Sequence, residues 1–106
     1  MARVLINLPP RVKRGEVIEI KTLIAHPMET GYRVGPTGAA IPRDIINRFS
    51  CRYNGAEVFR ADLFPAVAAN PFIAFFMVAT ESGELAFSWT DDHGETQTEV
   101  RQITVE

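Results

Sequence analysis

The residue types that most often carry chemistry are few in this chain: a single cysteine, Cys51, and two histidines, His26 and His93. A nucleophilic cysteine needs a lowered pKa, access to substrate and a neighbouring base or positive dipole. Cys51 instead falls between Phe49 and Tyr53 on the apolar side of an alternating segment, where a cysteine behaves as a small hydrophobe. His26-Pro27-Met28 offers a soft-metal pair that Met77 or His93 would have to complete, and copper sites use both residue types. The proline stiffens that segment, the completing residues are remote in sequence and no His-x-His spacing occurs. The residues therefore read as loop packing, with no metal and no cofactor. Asp91 and Asp92 are adjacent, and neighbours on extended backbone point to opposite faces, so they form no acid–base dyad. His93, in the same turn, reads as solvated. No Ser/His/Asp set is signalled, no glycine-rich phosphate loop follows a strand, and one cysteine excludes an internal disulfide. Nothing in these residues argues for an enzyme, and a non-enzymatic role is expected.

The elements that hold them are read from alternation. Ile18, Ile20, Thr22 and Ile24 alternate with Val17, Glu19, Lys21 and Leu23, a period of two with β-branched residues on the inner set. Lys13-Arg14-Gly15 makes the turn into that strand, and Pro9-Pro10 stops the apolar run before it. Ile45, Phe49, Cys51 and Tyr53 share one face of the next strand, opposite Arg48, Ser50 and Arg52. Asn54-Gly55 follows at once, and both residues tolerate the positive φ of a type I′ hairpin turn. Residues 63–70 are interrupted by Pro65 and read as a short helical turn or packed loop. Leu85, Phe87 and Trp89 form a third inner face, and Asp91-Asp92-His93-Gly94 turns into the last strand. There Val100 is out of phase with Ile103 and Val105, which predicts a bulge near Arg101. Seven strands are predicted, at 2–8, 16–24, 45–53, 56–61, 72–79, 84–91 and 96–105. Short strands, short turns and no long helical pattern predict an all-β, immunoglobulin-like antiparallel β-sandwich, one domain over residues 1–106. The cysteine pair of antibody domains is missing.

The strand at 72–79 breaks the alternation. Phe72, Phe76 and Val78 fall on one face and Ile73, Phe75 and Met77 on the other. A two-layer sandwich covers one face of each strand, so the second needs the long loops or another polypeptide. Aromatics and methionine are enriched at interface cores, which makes Phe72, Ile73, Phe75 and Met77 the candidate partner interface.

With 46% hydrophobic and 23% charged residues, the 106-residue chain has the balance of a globular domain large enough to fold without a staple. No apolar run approaches the roughly 20 residues of a membrane helix, and the opening residues lack the pattern of a signal peptide. Charge is uneven. Residues 1–33 carry six basic and three acidic side chains, whereas 81–106 carry one and seven. A net charge of −2 without a clustered basic surface excludes nucleic acid as a partner. The split reads as solvated faces, or as a polarity for docking charged partners.

Several segments together resemble the SoxZ family. They are His26-Pro27-Met28-Glu29-Thr30-Gly31-Tyr32-Arg33, Lys13-Arg14-Gly15-Glu16-Val17-Ile18, Pro42-Arg43-Asp44-Ile45-Ile46, Phe49-Ser50-Cys51-Arg52-Tyr53-Asn54-Gly55, Val58-Phe59-Arg60-Ala61-Asp62-Leu63-Phe64-Pro65, Ala69-Asn70-Pro71-Phe72 and Trp89-Thr90-Asp91-Asp92. They span almost the whole chain. The resemblance implies an immunoglobulin-like sandwich that pairs with a homologous SoxY subunit as a periplasmic carrier for thiosulfate oxidation. It implies that the sulfur intermediate sits on a cysteine in a glycine-rich tail of SoxY. This chain, ending Arg101-Gln102-Ile103-Thr104-Val105-Glu106, resembles the non-carrying partner. The expectations are a heterodimer with SoxY, transient contacts with other Sox enzymes, a possible homodimer when alone, and export alongside a signal-bearing partner. The alternatives are a stand-alone immunoglobulin-like interaction domain and a small copper protein using His26, Met28 and Cys51.

Overall fold

A computed structural model describes residues 2–106, which build eight strands and, among the described residues, no helix. The strands are β1 (Val4–Asn7), β2 (Arg11–Val12), β3 (Val17–Ile24), β4 (Ile46–Tyr53), β5 (Ala56–Asp62), β6 (Phe72–Val78), β7 (Gly83–Asp91) and β8 (Thr96–Val105). They form two sheets, one ordered β1-β3-β6 and the other β2-β8-β7-β4-β5.

Alternation on each strand selects the side that meets the opposite sheet. Ile18, Ile20, Thr22 and Ile24 of β3 are buried, as are Phe49, Cys51 and Tyr53 of β4 and Leu85, Phe87 and Trp89 of β7. Thr22 is tolerated in this apolar layer because its hydroxyl donates to the Ile73 carbonyl at 3.0 Å. Phe49 stands at the centre, with ring centroids 5.3 Å from Trp89, 6.0 Å from Phe75 and 6.1 Å from Phe59. It therefore ties β4 to β5 and β7 in its own sheet and to β6 across the core.

The hairpin turn is as expected, with φ at 49° for Asn54 and 86° for Gly55. The Asn54 side chain then folds over Gly83 and accepts the Glu84 amide at 2.8 Å. A Cβ at Gly83 would sit 1.8 Å from Asn54 Oδ1, so a side chain there would displace Asn54 from the Glu84 amide.

Two expectations change. The strands number eight because the chain crosses to the second sheet after Pro9-Pro10, and Arg11–Val12 pairs parallel with Thr104 and Val105. Two residues are too few to show a period, and this parallel pairing lies in an otherwise antiparallel sandwich. No bulge lies near Arg101: β7 and β8 pair without interruption from Thr90↔Thr96 to Gly83↔Ile103, and Val100 simply faces out. The register shifts instead within β4, between Ile46 and Arg48 against β7 and between Cys51 and Arg52 against β5. The first shift lets both Ile45 and Ile46 face inward. Residues 63–70 take the second of their two expected forms, a loop, with a turn closed by Val67 N–H donating to the Phe64 carbonyl.

The connection between β3 and β4 folds back on itself. Bridges pair Glu29 with Asp44 and Val34 with Ala40. Asn70 clasps its base, donating its amide to the His26 carbonyl at 2.7 Å while its Oδ1 accepts the His26 amide at 3.0 Å. The described residues span 58 × 20 × 20 Å with a radius of gyration of 16.1 Å, against about 13 Å for a compact chain of this length.

Candidate functional site

The outer face of the three-stranded sheet is the main apolar feature left uncovered. The register places Leu5, Leu23 and Phe72 side by side across β1, β3 and β6, then Val17 beside Val78, with Phe76 opposite Glu19. Phe72 is 60% and Phe76 67% exposed, and Leu5, Val17 and Val78 are exposed as well. Leu5, Leu23 and Phe72 also line a groove of about 470 Å³ together with Lys21 and Asn7. The strand carrying the two phenylalanines is an edge strand, so its backbone is open on one side.

This arrangement redraws the candidate interface. Phe75 and Met77 point into the core and are buried, and Ile73 is half-buried beside them. Of the four residues expected at a partner interface, Phe72 alone is on the exposed face, and its companions there are Phe76 and Val78. Both faces of β6 are apolar, so periodicity carries no contrast from which to choose the inner one.

Cys51 is fully buried, and loss of solvent pushes its thiol up to about 12. It neither ionises near neutrality nor meets solvent. Its reaction with a thiol reagent at pH 8 is expected to be undetectable in the native protein and complete after unfolding in guanidinium. Rapid native labelling would contradict this placement.

The soft-metal candidates are engaged in packing and backbone contacts. The Met28 thioether accepts the Ile46 amide at 3.3 Å, and Met77 is packed in the core. His26 Nδ1 accepts the Met28 amide at 3.0 Å, which makes the His-Pro-Met segment a tight turn with Met28 at φ 52°. Asp91 and Asp92 part company as expected. Asp91 Oδ1 accepts the amides of His93 and Glu95. Asp92 turns back onto the loop before β4, where Arg43 donates two hydrogen bonds at 2.8 and 2.9 Å, and the Ile45 amide and Asn47 Nδ2 each donate one at 3.1 Å. The Arg43 guanidinium, followed by Asn47 and the Ile45 amide, holds the Asp92 carboxyl down at about 2. Sequence reasoning missed this clamp because its partners are 45 to 49 residues apart.

The family model for the sulphur oxidation protein SoxZ matches residues 6–102. The chain belongs to the SoxZ family. Among solved structures, this SoxZ-family chain is similar to a superoxide reductase (neelaredoxin) from Ignicoccus hospitalis, with a TM-score of 0.78, 18% identity, and 99% of this chain and 82% of that chain covered. It is similar also to the sulfur carrier protein SoxY from Chlorobium limicola f thiosulfatophilum, with a TM-score of 0.67, 15% identity, and 97% and 78% covered. At these identities the likenesses show a shared fold. No curated protein matches the sequence significantly. The SoxZ segment 26–33 forms the clasped base of the β3–β4 connection, and the segment 42–46 supplies Arg43 to the Asp92 clamp. Both therefore organise one end of the sandwich.

Proposed function

We propose that this SoxZ-family chain is the non-catalytic partner of a SoxY-type subunit in a periplasmic carrier complex for thiosulfate oxidation. The partner carries the sulfur intermediate on its own cysteine. This chain holds that partner in shape and helps present it to the oxidising enzymes. The observation that carries the reading is the exposed apolar face of the three-stranded sheet, built around Phe72, Phe76 and Val78 beside an open strand edge. Patches of this kind mark interaction surfaces, and aromatic anchors supply most of the binding energy at protein interfaces. SoxY of Chlorobium limicola shares this fold, so the proposed pair is of two sandwiches of one architecture. The burial of Cys51 supports a role without covalent sulfur on this chain. Export to the periplasm alongside the partner completes the proposal.

The test is to mix the chain with a SoxY-type protein and measure the mass and affinity of the product in solution. A one-to-one heterodimer is expected. Phe76→Asp is expected to weaken it by at least 30-fold, or about 2 kcal/mol, because it puts a charge between Phe72 and Val78 on the exposed side of β6. Phe76 is two-thirds exposed, so the variant keeps its fold. Failure to associate, or an unchanged affinity in the folded variant, would overturn the proposal.

A further inference from the structure

The loop before β4 and the β7–β8 turn meet at one end of the sandwich, and they meet through ionisable groups. Asp44 stands between two imidazoles, with its Oδ1 at 3.5 Å from His93 Nδ1 and 3.8 Å from His26 Nε2. Both separations exceed the roughly 2.7–2.9 Å of a charge-assisted hydrogen bond. This oxygen is closed to solvent and accepts no hydrogen bond from the described residues. A buried carboxylate oxygen without a donor is costly and calls for a counter-charge. Asp91 brings a second carboxylate to the same point: one ligand atom from each of Asp44, Asp91 and His93 lies within 4.8 Å of the others. The amides of His93 and Glu95 hold Asp91 Oδ1 at 2.9 and 3.0 Å, which fixes that side chain in place. A second unpartnered polar atom lies in the core nearby along β7. Trp89 is 1% exposed, and its indole N–H has no acceptor. It shares the lining of a cavity of about 440 Å³ with His26 and Asp91.

We propose that Asp44, Asp91 and His93 form a binding site for a divalent first-row transition ion, with zinc the best fit. Two ligands each about 2.1 Å from one zinc at a tetrahedral angle stand about 3.4 Å apart. The Asp44–His93 separation of 3.5 Å has that spacing, which is too long for a hydrogen bond and right for a shared ion. The ion supplies the charge that Asp44 Oδ1 lacks, and two carboxylates neutralise it. An imidazole among the ligands favours zinc, cobalt or nickel over magnesium and calcium. Three protein ligands leave a position for water. His26 is not a ligand. Its Nδ1 accepts the Met28 amide, so its proton is on Nε2, facing Asp44.

The test uses chelator-treated protein, zinc titrated by calorimetry, and cobalt as a visible-absorption probe. One zinc per chain with a micromolar or tighter dissociation constant is expected, together with a rise in melting temperature of several degrees at saturating zinc. Asp44→Asn and His93→Ala are each expected to weaken binding at least tenfold, while Glu57→Gln, an exposed carboxylate beside the hairpin at the other end of β5, leaves it unchanged. The His93 side chain is 64% exposed, so His93→Ala keeps its fold and decides the matter even where Asp44→Asn loosens its loop. Absence of binding at millimolar zinc would assign the orphan oxygen to ordered water and overturn the proposal. Equal affinity in wild type and His93→Ala would overturn it too.

Discussion

Phe49→Ala is expected to lower the stability of this protein by about 3–5 kcal/mol, the range for deleting a buried aromatic side chain. Phe49 is fully buried, and its ring meets Phe59, Phe75, Phe87 and Trp89. These neighbours belong to β5, β6 and β7, so the cavity left by alanine would open between the two sheets where neither can collapse onto it. Domains of this size are stable by about 5–15 kcal/mol, so the loss is a large fraction of the whole. The melting temperature should fall by more than about 12 °C at the usual conversion for a 100-residue domain. Equilibrium urea unfolding followed by Trp89 fluorescence measures it. A midpoint shift with an unchanged slope is expected, and a loss below about 1 kcal/mol would show that Phe49 is not the hub of the core. Phe49→Leu, which keeps most of the volume, should cost less than half as much.

The Asp92 clamp gives the second large effect, and its signature is in pH. The folded-state pKa is about 2, below the ordinary value of 3.8, so folding favours the ionised carboxylate. A depressed carboxyl pKa contributes stability that is fully present above about pH 4 and is lost as pH falls through 2. The shift alone corresponds to about 2 kcal/mol, and solvent screening around the half-exposed Arg43 side chain brings this to about 1–2 kcal/mol. Asp92→Ala at pH 7 should cost about 2 kcal/mol, because it also strands the Ile45 amide and Asn47. Stability measured from pH 5 to pH 2 should fall less steeply in Asp92→Asn than in wild type. Parallel profiles would show that another carboxylate carries the acid sensitivity. Because the clamp ties the loop before β4 to the β7–β8 turn, its loss should also loosen the approach of Asp44 to His93. Asp92→Ala is therefore expected to weaken zinc binding while leaving the outer apolar face unaffected.

Much of the fold was legible along the chain. Ile18, Ile20, Thr22 and Ile24, and likewise Leu85, Phe87 and Trp89, announce their inner faces because a strand turns successive side chains to opposite sides and one side must leave water. Asn54-Gly55 announces a hairpin because few residue pairs accept two consecutive positive φ angles. The order of short segments from Lys13 to Asp92 identified the family, which the match over residues 6–102 shows. Cys51, flanked by core residues at even spacing, was readable as structural.

Other features belong to the tertiary structure alone. The two-residue β2 has no period to detect and exists through its parallel pairing with the far end of the chain. The inner face of β6 was undecided because Phe72, Phe76 and Val78 are as apolar as Ile73, Phe75 and Met77. The opposite sheet settles which set is buried, and with it which side chains remain exposed. The Arg43–Asp92 clamp and the convergence of Asp44 with Asp91 and His93 leave no local trace, since Arg43 and Asp44 lie more than forty residues before the Asp91-Asp92-His93 turn and are brought to it by strand pairing between β4 and β7. Local patterning records which way a side chain faces on its own strand. The meeting of distant loops at one end of a sandwich is recorded only in how the strands pair.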